Sequence, residues 1–154
     1  MVDNSYVAYF DGACEPTNPG GTASFGAVIL HNGEPVWKCS EIYVPELGHE
    51  QDTSNNVAEY AAFIAVLEWF ADRNLFGADI LIRGDSQLVI YQMFGNYGIK
   101  KGLYVPMALE ARKLVAQFKN IRGEWIRRDQ NAVADGLSKD ALKRAGVKLR
   151  LQPA

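Results

Sequence analysis

Cysteine and histidine are scarce in this 154-residue chain, with two of each. Cys14 and Cys39 make no C-x-x-C pair, and two thiols do not amount to a disulfide framework. Two reduced thiols in a cytoplasmic protein are therefore expected, because reducing compartments disfavour a bridge. His31 and His49 both fall in turn or loop sequence, so a Ser–His or Cys–His relay has no support. No apolar run approaches the roughly 20 residues needed to span a bilayer. The opening residues, MVDNSYVAYFDG, have no basic stretch ahead of an apolar one, which argues against a secretory signal. A basic excess is missing too. A net charge of −2 argues against affinity drawn from a broad basic surface, although a local groove can still be basic. Repeats, low-complexity stretches and linkers are absent, so one domain over 1–144 with a tail over 145–154 is expected.

What is present is the patterning of an ordinary globular α/β chain. Tyr6–Asp11 reads as a first strand, ending in the breaker-rich stretch from Gly12 to Gly21. Ser24–Leu30 and Val36–Val44 are two more strands, joined at His31-Asn32-Gly33-Glu34, a strong hairpin signal. The period then changes. Asp52-Thr53-Ser54-Asn55 offers N-caps for a helix over Val57–Arg73, which is apolar nearly all round and so expected to be buried on most faces. Ile80–Ile82 is a short strand and Ser86–Phe94 a short helix. A loop follows from Gly95 to Gly102, then a helix over Val105–Phe118 entered through Pro106. Ile121–Ile126 and Ala132–Arg144 complete the order βββαβααβα. The order predicts a mixed five-stranded sheet with helices on both faces.

Four acidic residues occupy unusual places in this plan. Asp11 ends the first strand, Glu59 lies on the apolar helix, Asp85 ends the fourth strand, and Asp135 lies on the last helix. Each has an ordinary explanation alone. Asp11-Gly12 is a common turn pair, Asp85 can cap a helix, and Asp135 can face water. Glu59 is hardest to explain so, because its helix has few polar positions, and carboxylates are rarely buried without a partner or a metal. Carboxylates gathered at one site need a cation, since like charges otherwise raise one another's pKa. An all-oxygen ligand set suits Mg²⁺ or Mn²⁺, and a pair of such ions can clamp both oxygens of a phosphodiester displacement.

The segments YFDGACEPTNPGG, TSNNVAEYAA, IRGDSQLVIYQ and RRDQNAVADGLS resemble, in order and spacing, those of the type 1 ribonuclease H family. The resemblance runs from Tyr6 to about Leu142. It implies an endonuclease that hydrolyses the RNA strand of RNA–DNA hybrids, leaving 5′-phosphate and 3′-hydroxyl ends. Asp11, Glu59, Asp85 and Asp135 match the family's catalytic metal ligands, which hold two Mg²⁺ ions, one activating water and the other stabilising the departing 3′-oxygen. Asn55 and Asn56 match amides that contact the hybrid, and Gln87 a residue that reaches its minor groove. Gly12, Cys14 and Asn18 match the loop that faces the RNA ribose, and Arg128 and Asn131 match substrate-side residues before the last helix. Substrate choice is expected to rest on shape and on 2′-hydroxyls. A monomer is expected.

Three departures accompany the resemblance. Glu15-Pro16-Thr17 makes the first loop one residue longer than in many members, and the stretch Arg127-Arg128-Asp129-Gln130 has no histidine. The basic handle helix of some members is replaced by the loop from Gly95 to Gly102. Few cations are then available to meet phosphates, with Arg127, Arg128, Lys100 and Lys101 as candidates. Trp37, Trp69 and Trp125 are expected in the core. The tail Val147-Lys148-Leu149-Arg150-Leu151 alternates apolar and basic residues, as an edge strand, a disordered tail or a nucleic-acid contact would. Two rival functions remain open at this point. One is a non-catalytic hybrid-binding module, and the other is a DNA-acting nuclease of the same fold.

Overall fold

A computed structural model describes residues 5–150. Five strands form one mixed sheet: β1 (Ser5–Glu15), β2 (Thr22–His31), β3 (Glu34–Ile42), β4 (Asp79–Gly84) and β5 (Asn120–Trp125). Their spatial order is β3-β2-β1-β4-β5. β1, β2 and β3 are antiparallel neighbours, while β4 runs parallel to both β1 and β5. The helices are α1 (Asn55–Asp72), α2 (Gln87–Phe94), α3 (Val105–Val115) and α4 (Ala132–Arg144), with a single 3₁₀ turn at Arg128–Gln130. The expected order of elements is present in full. Ser54 and Ser86 cap α1 and α2, their hydroxyls accepting from the backbone N–H of Val57 and Val89.

One boundary differs in a way that matters. β1 does not stop at Asp11 but continues to Glu15, because β2 keeps its backbone paired from Asp11 opposite Gly26 to Glu15 opposite Thr22. Gly12 and Cys14 are therefore strand residues, and the loop to β2 begins only after them. Breaker residues predicted an earlier end, but ladder hydrogen bonds override local propensity here.

Two glycines let helices approach the sheet from opposite sides. Successive strand residues face opposite ways. A Cβ on Gly12 would lie 2.3 Å from the backbone of Ala58 in α1, and one on Gly26, opposite Asp11, would lie 2.6 Å from the backbone of Ala134 in α4. α1 and α4 therefore cover opposite faces, each seated where a side chain is missing. Phe10, Ile29, Tyr60, Phe63, Leu67, Phe70, Ile80 and Ile82 fill the core and are fully buried.

Gln92 ties the loop after α2 to this core. Its side-chain oxygen accepts from the Tyr60 hydroxyl, and its Nε2 donates to the Gly98 carbonyl (3.1 Å) and to the Tyr104 hydroxyl (3.2 Å). Leucine here would strand the two buried hydroxyls of Tyr60 and Tyr104 and release the Gly98 carbonyl. Gln92→Leu is expected to cost about 2–3 kcal/mol of stability, read as a lowered urea midpoint with unchanged slope.

Candidate active site

The site forms where β1 and β4 diverge. Phe10 pairs with Gly84 in the parallel ladder, so Asp11 and Asp85 follow the last paired residues of two adjacent strands. This is the carboxyl end of a parallel pair, where open sheets commonly place their chemistry. Glu59 comes down from α1, whose close approach over Gly12 sets it beside Asp11. Carboxylate oxygens of Asp11, Glu59 and Asp85 all lie within 4.8 Å of one another. Asp11 is 5% exposed and Glu59 is 9% exposed.

Packing acids so closely penalises their charge. Burial first, then the charge of Asp85, pushes the Asp11 carboxyl up to about 8. Burial and the Asp11 charge push Glu59 well above its ordinary value, and burial raises Asp85 as well. One Glu59 oxygen, Oε2, is buried without a hydrogen-bond partner. Acids that resist ionisation together, with a buried oxygen lacking any donor, fit a hard divalent cation. The donor set is oxygen alone, as Mg²⁺ and Mn²⁺ prefer.

Asp135, on the first turns of α4, lines the same cavity of about 260 Å³. Its carboxylate is met by Lys139 Nζ at 3.2 Å, one helical turn on, and by Arg128 at 3.7 Å. Gly12, Asn55 and Arg128 also line the cavity, as do Ala13, Glu15, Lys139 and Arg150. Ala13, Glu15 and Lys139 are not among the expected site residues, and Arg150 is expected only as part of a tail with a nucleic-acid contact as one of its options. Lys139 could have been found from its i+4 spacing to Asp135.

Other expected contacts fall elsewhere. Asn18, Asn56 and Gln87 are exposed but outside the cavity lining. Asn18 accepts the backbone N–H of Asn55 through its side-chain oxygen (3.0 Å), so it braces the start of α1. Two expectations need correction. Cys14 is fully buried, its thiol donating to the Thr17 carbonyl, so its side chain cannot face a ligand from the cavity wall. Asn131 is 1% exposed and donates from Nδ2 to the Phe10 carbonyl (2.9 Å), bracketing the end of β1 to the start of α4. Motif position does not show which way a side chain turns. Trp125 also departs from expectation. It is 36% exposed, and its indole N–H donates to the Asp85 backbone carbonyl (3.2 Å), steadying the turn that carries that acid. Cys14 and Cys39 are both unbridged.

The end of the described chain returns to the site. Arg150 donates to Glu15 through its backbone N–H (3.0 Å) and its Nε (2.8 Å), and through Nη2 to the Cys14 carbonyl (3.0 Å). These bonds hold the Glu15 carboxyl below its ordinary range. Residues 147–150 form neither strand nor helix, so the edge-strand option is excluded for them, while Leu151 lies outside the described residues. Among the described residues no helix is long and apolar enough to cross a membrane.

Comparison with known proteins finds relatives of this architecture. The profile of the family described as "Reverse transcriptase-like" matches residues 9–141. A bifunctional protein of Mycobacterium tuberculosis is 34% identical over 130 residues, covering 83% of this chain and 33% of that protein. A ribonuclease HI of Halobacterium salinarum is 34% identical over 143 residues, covering 88% of this chain and 63% of its relative. The chain thus spans about a third of the length of its mycobacterial relative. Among solved structures, the crystal structure of RNase H1 from Halobacterium salinarum superposes with a TM-score of 0.77 at 34% identity, covering 91% of this chain and 98% of that one. LC11-RNase H1, solved in complex with RNA/DNA hybrid, gives 0.78 at 29% identity over 91% and 98%.

Proposed function

The chain belongs to the type 1 ribonuclease H family, and on that premise we propose that it hydrolyses the RNA strand of RNA–DNA hybrids, leaving 5′-phosphate and 3′-hydroxyl ends. The observation that carries this is the cluster of Asp11, Glu59 and Asp85, with Asp135 across the same cavity. A purely hybrid-binding module has no use for buried acids that resist ionisation together. Divalent ions held by these carboxylates would supply an activated water and offset charge on the departing 3′-oxygen.

The chain's own residues do the rest. Asp11 and Asp85, fixed at the ends of paired strands, present oxygens from a rigid frame. Glu59 closes the cluster from α1. Lys139 and Arg128 hold Asp135 in place and leave it partly open to solvent. Asn55 stands on the cavity wall at the start of α1, where an amide can test for a ribose hydroxyl. Every one of these groups comes from a single chain, consistent with action as a monomer. Two unbridged thiols suit the reducing, cytoplasmic setting that the sequence suggests.

One assay decides among the candidate activities. Labelled hybrid, duplex RNA and duplex DNA are incubated with Mg²⁺ or with EDTA. Cutting confined to the RNA strand of the hybrid, and dependent on metal, is the expected result. Cutting of duplex DNA at a comparable rate would assign the chain to a DNA-acting branch. A hybrid whose RNA is 2′-deoxy-substituted around the cut should be cleaved at least about tenfold more slowly there, because unpaired polar groups in the site would then lose their partner.

No imidazole is near the chemistry. His31 stacks on Tyr6, with ring centroids 4.3 Å apart, and His49 pairs with Asp52 in an exposed loop. General acid–base catalysis by a histidine contributes about 10²–10⁴ in rate. Replacing both with alanine should instead leave turnover within a few-fold, measured well below the melting temperature. A hundredfold loss would show that one of them acts as acid or base.

A further inference from the structure

We propose that Arg150 forms a phosphate-binding subsite of this cavity, taking one backbone phosphate of the nucleic-acid strand that lies against the carboxylates. The inference rests on the hybrid-cleaving reading of the site and adds a residue to it. The four acidic motifs do not point to Arg150, which stands 15 positions beyond Asp135, and the charge pattern of the tail leaves a nucleic-acid contact as only one of three options. The fold brings it back to the wall of the same cavity as Asp11, Glu59, Asp85 and Asp135.

The guanidinium is built into its position. Nε donates to Glu15 Oε2 at 2.8 Å, and Nη2 donates to the Cys14 carbonyl at 3.0 Å and to Glu15 Oε1 at 3.3 Å. Its backbone N–H is bound to Glu15 as well. Glu15 is 6% exposed and sits at the last position of β1, so the anchor itself is rigid. The side chain of Arg150 nonetheless remains 48% exposed. Nη1 makes no hydrogen bond among the described residues, so donors of the planar fork are not all used by Glu15 and Cys14. Arginine in this state matches what a phosphate requires, with fixed geometry, permanent charge and donors still available.

A structural explanation alone fits less well. An ion pair with one partner buried gains little stability after desolvation, and a pair placed only to fasten a tail need not stand at the rim of an acidic cavity. Arg128 and Lys139, the other cations on the wall, are both within ion-pair distance of Asp135. Arg150 approaches from the β1 side instead. Lys100 and Lys101, which the sequence offered as phosphate contacts, do not line the cavity.

The test measures hybrid binding with Ca²⁺ in place of Mg²⁺, to suppress cleavage, over a range of salt concentrations. The proteins are the parent, Arg150→Ala, Arg150→Lys and the double variant Glu15→Gln/Arg150→Ala. Arg150→Ala should bind about tenfold more weakly, with a salt slope reduced by roughly 0.7–0.9, the value of one phosphate contact. The double variant removes the carboxylate that the single one leaves unpaired, and it should show the same lost slope. Arg150→Lys should keep the slope, having kept the charge. In Mg²⁺, KM should rise several-fold for Arg150→Ala while kcat stays within about twofold. A parental slope in both alanine variants would overturn the subsite, as would recovery of parental affinity in the double variant, which would trace the defect to the stranded Glu15. A parent that neither binds hybrid in Ca²⁺ nor cuts it in Mg²⁺ would overturn the functional reading itself, and the subsite with it.

Discussion

Replacing Asp11 or Asp85 with asparagine should lower hybrid cleavage by at least about three orders of magnitude while leaving the protein folded. An amide is a poorer ligand than a carboxylate, and each substitution removes a unit of negative charge from the cation site. Metal ions contribute several kcal/mol of transition-state stabilisation, and each 1.36 kcal/mol is about tenfold in rate. The same substitutions should not weaken the metal-free protein. Asp11 and Asp85 each stand within reach of other acids, and burial already disfavours their charged forms. Neutral amides relieve that repulsion. Single-turnover cleavage in Mg²⁺ and thermal melts in EDTA check both halves. Loss of activity accompanied by a clear drop in melting temperature for both variants would mark these aspartates as structural instead.

The features that sequence revealed best are those with a strong local cause. A segment apolar nearly all round behind good N-caps marked α1 as a buried helix, and Glu59 stood out on it because so few polar residues share that segment. The Asn32-Gly33 turn was equally readable and Ser54 was among the caps offered for α1, whereas α2 is capped by Ser86 and not by Asp85. Sequence was weaker wherever a distant partner decides the outcome. Cys14 and Glu15 belong to β1 only because β2 lies beside them. Asn131 is turned inward by the Phe10 carbonyl, a contact across 121 positions. The Arg150–Glu15 pair spans 135 positions, and nothing in the local pattern of the tail distinguishes a docked arginine from a solvated one. The fold was legible from local patterns, and the floor of the site from four acids in unusual places. The walls of the site depend on tertiary contacts.

The raised carboxyls carry a second consequence, for stability in the absence of metal. With Asp11 at about 8 in the folded chain and 3.8 as its ordinary value, the folded state holds a proton that the unfolded state has already released. Stability changes with pH according to the protons bound unfolded minus those bound folded, and between these two values that difference is negative. The contribution of Asp11 is therefore complete below about pH 4 and is lost as pH rises toward 8. For one such group the fall between pH 5.5 and pH 8 is roughly 3 kcal/mol. Glu59 and Asp85, both raised, act in the same direction. Urea unfolding in EDTA should thus show lower stability at pH 8 than at pH 5.5, opposite to the gain that ordinary paired carboxylates bring as they ionise. Saturating Mg²⁺ should restore stability most at the higher pH, because a bound cation needs the proton gone and its affinity grows as the acids ionise. Asp11→Asn removes one of the three titrating groups and the charge that helps to raise Glu59, so its EDTA profile should be flatter over this interval. If the parent in EDTA instead gains stability steadily from pH 5.5 to 8, these acids ionise normally in the fold, and the case for a cation-demanding cluster loses its electrostatic basis.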